Sequence, residues 1–174
     1  MTTERFALVT GASSGIGRAI ARELAEHHFD LLICADEPGI TDAATELGAR
    51  GVDVQALQLD LRNRGDVERL NESIIASGRP LDAAVLNAGV ARGGAFLSTD
   101  LDDHLEVIDL NIRSTVHLTH RVVTYMVARN TGRLLLTSSI AAAMPGRSSR
   151  STTPPSRFCS HSGRHCRASS RTHR

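Results

Sequence analysis

Short apolar runs alternate with amphipathic helical stretches along most of the chain, and this alternation constrains the fold more than any other feature of the sequence. Apolar runs of about four to eight residues are typical of strands buried in a parallel sheet, with helices as the right-handed crossovers between them. The pattern predicts an α/β fold, a doubly wound parallel sheet with helices on both faces. The predicted strands are 5–10, 31–35, 52–58, 83–87 and 133–138, and the predicted helices are 14–28, 41–49, 66–77 and 101–128.

The composition changes sharply after Gly146. Residues 1–146 contain all 19 acidic residues and 13 Arg, whereas residues 147–174 contain seven Arg and no acid, and the chain has no Lys. A segment rich in Ser, Arg, Thr and Pro with few apolar residues cannot bury a core. We therefore predict one domain over residues 1–146, with a sheet that is incomplete at its C-terminal edge. We predict that residues 147–174, the basic tail, are disordered.

Composition also limits the class of protein. The 41% content of hydrophobic residues is ordinary for a globular domain, and the longest apolar segment, 134–144, is shorter than the roughly 20 residues of a membrane span. No secretory leader is recognisable, and three Cys without framework spacing do not indicate a disulfide scaffold. These features predict a cytoplasmic protein that does not contact membranes.

A glycine-rich turn joins the first predicted strand to the first predicted helix. Residues 10–17 read TGASSGIG. Glycines at such a turn let the backbone approach a pyrophosphate at the helix N-terminus, where N–H groups and the helix dipole favour negative charge. The position of the turn favours a dinucleotide site, with a plain strand-to-helix connection as the alternative.

The TGxxxGxG spacing, taken with four later matches in order, resembles the short-chain dehydrogenase/reductase family. Those matches are Asp60 after the third strand, Asn87-Ala88-Gly89 after the fourth, Asn111, and Ser138-Ser139. The resemblance covers about residues 5–146 and implies a Rossmann-like domain. It also implies an NAD(P)-dependent oxidoreductase that moves a hydride between nicotinamide and a small-molecule alcohol or ketone. Family members are usually homo-oligomers, but the altered C-terminal segment argues against one here.

The resemblance assigns roles at the cofactor site. In the family, the residue matching Asp60 bonds the adenine amino group, and the Asn-Ala-Gly turn supports the first strand and borders the cofactor. Asp36, which lies 19 residues after Gly17, can accept hydrogen bonds from the adenosine ribose and repel a 2′-phosphate. Ser14 stands where NADP-preferring members often carry a basic residue, so NAD is favoured and NADP is the alternative. The predicted cofactor-binding residues are Gly11, Ser13, Ser14, Gly15, Ile16, Gly17, Asp36, Asp60, Leu61, Asn87, Ala88 and Gly89.

Only half of the family's catalytic set is present. The family uses Tyr as acid and base, Lys to lower the Tyr pKa, Ser to hold the carbonyl and Asn in a proton relay. Ser139 and Asn111 match the last two. Tyr-x-x-x-Lys should begin about 13 residues after Ser139, but Thr152 and Ser156 occupy those positions. We therefore predict impaired catalysis, and we predict that Tyr125, which lies upstream and has no Lys partner, packs in the core.

The basic tail has a feature of a shifted reading frame. Residues 151–156 (STTPPS) can be encoded so that a frame two bases further on reads Tyr-Asn-Ala-Ser-Lys, at the spacing the family requires. We interpret the tail as the product of a single-base deletion, or an equivalent change, between about Gly146 and Arg150.

Two other functions fit parts of the sequence. A non-catalytic NAD(H)-binding or regulatory module would keep the turn without the Tyr and Lys. Nucleic-acid binding through the basic tail is a remote alternative, because the rest of the chain is acidic. No metal site is predicted, since the tail offers no strand or helix to fix tetrahedral geometry around its clustered ligand types, Cys159, His161, His165 and Cys166.

Three further residues are interpreted as structural. His117 and His120 share a predicted helix face, but the sequence shows no acidic partner for them, so surface or packing roles are favoured. Cys34 ends an apolar strand and is interpreted as a small buried hydrophobe.

Overall fold

The computed structural model describes residues 5–93 and 96–139, in which five parallel strands form one sheet of order β3-β2-β1-β4-β5. The strands are β1 (Arg5–Thr10), β2 (Phe29–Ala35), β3 (Val54–Gln58), β4 (Ala83–Leu86) and β5 (Arg133–Leu136). The helices are α1 (Gly15–Glu26), α2 (Ile40–Gly48), α3 (Arg64–Ala76), α4 (Leu101–Ile108) and α5 (Thr115–Ala128). The predicted doubly wound α/β fold is confirmed. The basic tail, with its predicted disorder, lies outside the described residues.

Helices cover both faces of the sheet. Because successive side chains of a strand point to opposite faces, Phe6 and Leu8 of β1 enter one hydrophobic cluster and Ala7 and Val9 enter the other. Helices α3 and α5 pack on the first face, and α1 and α2 pack on the second. This two-sided burial explains why β1 is a continuous apolar run instead of an alternating one.

The winding of the chain creates a crevice at the centre of the sheet. From β1 the chain adds β2 and then β3 on one side, and it returns to place β4 on the opposite side of β1. The connections therefore leave β1 and β4 in opposite directions. In open parallel sheets this topological switch point opens a crevice at the carboxyl ends of the strands, where ligands bind.

The observed elements differ from the predicted ones in a few places. The third strand begins at Val54 instead of residue 52, because Gly51 turns the chain with φ +81° and the Asp53 N–H bonds the Asp30 carboxylate at 2.8 Å. The predicted helix over 101–128 is helical throughout but is divided by a wider π-helical segment, Asp109–Ser114. The first helix begins at Gly15, with Ser14 extended before it.

Side-chain packing confirms two structural interpretations and corrects one. Tyr125 is buried and its hydroxyl donates to the Arg79 carbonyl at 2.7 Å, and Cys34 is buried, so that burial raises the pKa of its thiol to about 12. The prediction that His117 lacks an acidic partner is wrong. Its Nε2 lies 2.8 Å from Glu68 Oε1, because α3 and α5 pack together although the two residues are far apart in the chain.

Within residues 5–93 and 96–139, no helix has the length and apolar character needed to cross a membrane.

Candidate active site

A cleft of about 700 Å³ lies along the carboxyl ends of the strands. The ends of all five strands and the segments that follow them contribute residues to it, and the π-helical segment before α5 adds a sixth part of the chain. All predicted site residues except Gly17 line this cleft: Gly11, Ser13, Ser14, Gly15, Ile16, Asp36, Asp60, Leu61, Asn87, Ala88, Gly89, Asn111 and Ser139. The topology therefore brings the sequence-predicted cofactor and catalytic residues to one place.

One side of the glycine-rich turn is tightly packed at Gly17, and the other side is open at Gly15. A Cβ on Gly17 would lie 2.1 Å from the Gly11 carbonyl oxygen and 2.5 Å from Asn87 Nδ2, so Gly17 packs under the turn instead of lining the cleft. Gly15 has φ +56°, and a Cβ there would meet nothing within 4 Å. The start of α1 thus presents its backbone to open space, which is the arrangement that an anion at a helix N-terminus requires.

A hydrogen-bond network joins the ends of three strands beside the turn. The buried Thr10 hydroxyl accepts from the Asn87 N–H at 2.9 Å and from the Ala88 N–H at 3.0 Å. Asn87 Nδ2 donates to the Gly11 carbonyl at 3.4 Å, and the Thr137 hydroxyl donates to Asn87 Oδ1 at 3.1 Å. The Asn87 turn therefore holds the ends of β1, β4 and β5 in a fixed relation.

The far end of the cleft is acidic and is bridged by one arginine. Arg62 Nε donates to Asp60 Oδ1 at 2.7 Å, its Nη2 lies 3.1 Å from Asp36 Oδ2, and its Nη1 donates to Glu106. Burial raises the pKa of Asp60, but hydrogen bonds from Arg62 and its charge outweigh this and hold the pKa below its usual value. Hydrogen bonding to Asp60 likewise raises the pKa of Arg62.

The two predicted catalytic residues reach the cleft from different elements. Asn111 lies in the π-helical segment, where its Oδ1 accepts from the Val90 N–H at 2.9 Å and its Nδ2 donates to the Val90 carbonyl at 2.7 Å. Ser139 follows β5. Thr152 and Ser156, which stand where the family pattern has Tyr and Lys, lie outside the described residues, as does the cluster that includes Cys159 and His161.

Sequence reasoning missed Arg62 and its partner Glu106. Arg62 directly follows Asp60-Leu61 at the end of β3, so its position at the carboxyl edge of the sheet was a signal that could have identified it. Glu106 gave no comparable signal, because it comes from α4, 44 residues further along the chain. Among the described residues, no group of three or more His, Cys, Asp or Glu could hold a metal ion.

Known proteins share this architecture and sequence pattern. The family model described as short chain dehydrogenase matches residues 5–151. Oxidoreductase UcpA of Escherichia coli (strain K12) is 37% identical over 142 residues, which cover 82% of this chain and 54% of that protein. The 3-oxoacyl-[acyl-carrier-protein] reductase FabG of Staphylococcus aureus (strain Mu50) is 28% identical over 146 residues, which cover 83% of this chain and 59% of that protein.

A solved structure agrees with these sequence matches. The Pseudomonas aeruginosa RhlG/NADP active-site complex superposes with a TM-score of 0.81 at 30% identity, covering 92% of this chain and 64% of that one. The chain spans a little over half the length of the curated relatives that it matches. Since the family model covers most of the chain, and a relative of 37% identity is matched over 82% of the chain, the chain belongs to the short-chain dehydrogenase family.

Proposed function

We propose that the cleft binds NAD(H), with NADP(H) as the alternative, and that the intact protein is an oxidoreductase acting on an alcohol or ketone. The observation that carries the proposal is the glycine turn at the start of α1. The turn packs tightly at Gly17, is open at Gly15, and lies at the switch point of a parallel sheet. This cradle fits the backbone approach that a pyrophosphate needs.

The residues of the cleft divide between the two halves of a dinucleotide. Backbone N–H groups at the start of α1 would hold the pyrophosphate, and Asp36 would accept hydrogen bonds from the adenosine ribose. Asp60 and Leu61 would border the adenine. Ile16 lines the cleft beside the glycine turn and would border the cofactor.

The catalytic half would lie towards β5. When bound, the nicotinamide supplies the hydride-transfer chemistry. In this chain Ser139 would hold the substrate oxygen. Asn111 would fix the segment around Val90 and would take part in a proton relay. Because Thr152 and Ser156 cannot replace a Tyr and Lys pair, we expect turnover to fall by roughly 10² to 10⁴ relative to an intact relative.

Binding and turnover test this proposal separately. NADH titrated into the purified chain in a calorimeter should bind, and Ile16→Glu should weaken binding roughly tenfold or more, because it places a carboxylate beside the pyrophosphate. Ile75→Glu is the matched control, since Ile75 is similarly exposed, at 52%, but lies on α3 outside the cleft lining. Absence of NADH binding would refute the cofactor site.

The same protein should show little turnover with NADH or NADPH and a panel of small ketones. Turnover comparable to that of an intact relative would contradict the predicted impairment.

A second candidate function is a non-catalytic NAD(H)-binding or regulatory module, and Thr152 and Ser156 favour it. Sequencing the coding DNA for residues 146–162 separates the two proposals. Codons that allow Tyr-Asn-Ala-Ser-Lys in a shifted frame support a damaged dehydrogenase, and codons that forbid this frame support the module. For either function we propose a small-molecule ligand. We also propose a cytoplasmic protein, because an odd number of Cys does not indicate a disulfide-bonded secreted protein.

A further inference from the structure

Arg62 connects Asp36, the residue expected to discriminate between NAD(H) and NADP(H), to Asp60 and Glu106. Its Nη2 lies 3.1 Å from Asp36 Oδ2, Nε donates to Asp60 at 2.7 Å, and Nη1 donates to Glu106. Asp36 and Asp60 both line the cleft. A guanidinium therefore lies directly beside the carboxylate that is proposed to receive the adenosine ribose.

The three partners of Arg62 are not equivalent. The Asp36 side chain is 48% exposed, and ion pairs between exposed side chains are generally weak. Asp60 and Glu106 are less exposed, and Asp60 also accepts from the Arg62 backbone N–H at 3.0 Å. If the Asp36 carboxylate moves away, the contacts with Asp60 and Glu106 still hold the guanidinium in place.

A guanidinium held in this way is well suited to a phosphate. Once Asp36 moves away, Nη2 is free to donate hydrogen bonds to a phosphate oxygen, and charge-assisted bonds of this kind are stronger than neutral ones. The NAD(H) ribose carries a 2′-hydroxyl at the place where NADP(H) carries a phosphate, and Asp36 would accept a bond from the first and repel the second. The charge of Arg62 offsets part of that repulsion, because the guanidinium pairs with Asp36 as well as with Asp60 and Glu106.

We propose that Arg62 determines the cofactor specificity of this cleft by binding the 2′-phosphate of NADP(H). In the absence of that phosphate, Asp36 pairs with the same guanidinium group. The proposal rests on the proposed function, since it assumes that the adenosine ribose lies against Asp36. With Asp36 in place the cleft prefers NAD(H) and admits NADP(H) by exchanging the Asp36–Arg62 pair for a phosphate–Arg62 pair.

The test compares two adenosine ligands, 5′-AMP and adenosine 2′,5′-bisphosphate, by calorimetry at one fixed ionic strength. The readout is the ratio of their dissociation constants in the wild type, D36N, R62Q and the double variant D36N/R62Q. D36N should shift the ratio towards the bisphosphate by roughly tenfold to a hundredfold, because it frees Arg62 for the phosphate. R62Q should shift it the other way, and the double variant should lose at least roughly tenfold of the D36N gain.

R92Q is the matched control. Arg92 also donates to Glu106 and pairs with Asp103 at 3.2 Å, so its loss removes the same charge from the same cluster without touching Asp36. The ratio should stay at the wild-type value in R92Q. A D36N gain that persists undiminished in D36N/R62Q would overturn the proposal, because relief of repulsion alone would then explain it.

Two further results keep the outcomes distinct. If R62Q melts far below the wild type, R62K replaces it. This variant keeps the charge but cannot span three carboxylates, so the D36N gain should fall severalfold in D36N/R62K, and an unchanged gain overturns the assignment of Arg62. Failure of every variant to bind 5′-AMP or NADH overturns the proposed function together with the role of Arg62. Wherever NADH binds, the ratio alone decides the role of Arg62.

Discussion

The space available for a side chain at single positions determines how the turn between β1 and α1 packs and where it can contact a ligand. Gly15 and Gly17 are two residues apart, yet a Cβ would meet open space at the first and the Gly11 carbonyl oxygen, at 2.1 Å, at the second. The two glycines therefore serve different purposes. Gly15 leaves room for a ligand above the turn, and Gly17 lets the turn pack against the end of β1 and Asn87.

Gly17→Ala should disrupt the turn. An added methyl group must displace backbone atoms, so we expect a loss of about 1–3 kcal/mol in the free energy of unfolding, with NADH binding weakened by roughly tenfold or more. Urea unfolding and calorimetry measure the two effects. Gly65→Ala is the matched control, because Gly65 is also in the first turn of a helix but its Cβ would meet nothing within 4 Å. A G17A protein that binds NADH like the wild type would contradict the assigned role of the turn.

Asp60 should make stability depend on pH. Its pKa in the folded protein is below the ordinary value of about 3.8, so its pairing with Arg62 stabilises the fold fully above that value. The contribution is lost as the pH falls through the lowered pKa. Because Asp60 is partly exposed, Asp60→Asn should lower the free energy of unfolding at pH 7 by no more than about 1 kcal/mol.

Urea unfolding across pH checks this sign. The gap between wild type and D60N should narrow as the pH falls below the ordinary value of about 3.8, and it should close once the pH is below the lowered pKa of Asp60. Asp53→Asn, at an exposed carboxylate before β3, controls for the general effect of removing a charge. A gap that widens with falling pH would contradict the pairing of Asp60 with Arg62.

At the scale of elements, the π-helical segment between α4 and α5 links a helix to the loop after β4. A single π turn inside a longer helix changes the direction of its side chains and is often found at functional sites. Here Asn111 uses both ends of its amide on the backbone of Val90. The segment therefore fixes the loop that borders the Asn87 turn, whatever further part Asn111 has in catalysis.

Asn111→Ala should loosen this loop. Two backbone groups of Val90 lose their bonds, so we expect a cost of about 1–3 kcal/mol and faster hydrogen exchange at the Val90 amide. Exchange measured by NMR or mass spectrometry tests this directly, with Asn71→Ala on α3 as the control. Unchanged protection at Val90 would show that the loop does not depend on Asn111.

At the scale of the whole molecule, β5 is an edge strand of the described sheet. Among residues 5–93 and 96–139, β5 pairs only with β4, and Leu135 is 49% exposed. Unpaired N–H and C=O groups along an apolar strand form a template for association with another chain.

We expect the chain to self-associate with rising concentration, and Leu135→Glu should reduce that association. Sedimentation velocity over a range of concentrations measures the effect, and Ile75→Glu, at a comparably exposed residue on α3, is the control. If the edge drives association, L135E acts and I75E does not. A wild-type chain that stays monomeric at all concentrations and melts reversibly would refute the prediction.

The sequence by itself determined the α/β class, the approximate positions of all five described strands, and 13 of the residues that line the cleft. Those features are local, because a buried strand, an amphipathic helix and a glycine turn each leave a pattern within a few consecutive residues. The contact of Arg62 with Asp36, its contact with Glu106, and the Glu68–His117 pair required the tertiary structure. Their partners are 26, 44 and 49 residues apart in the chain, and only the winding of the helices across the sheet brings them into contact. The π-helical segment, Asp109–Ser114, also appears only in the structure, since the sequence pattern predicts one continuous helix over residues 101–128.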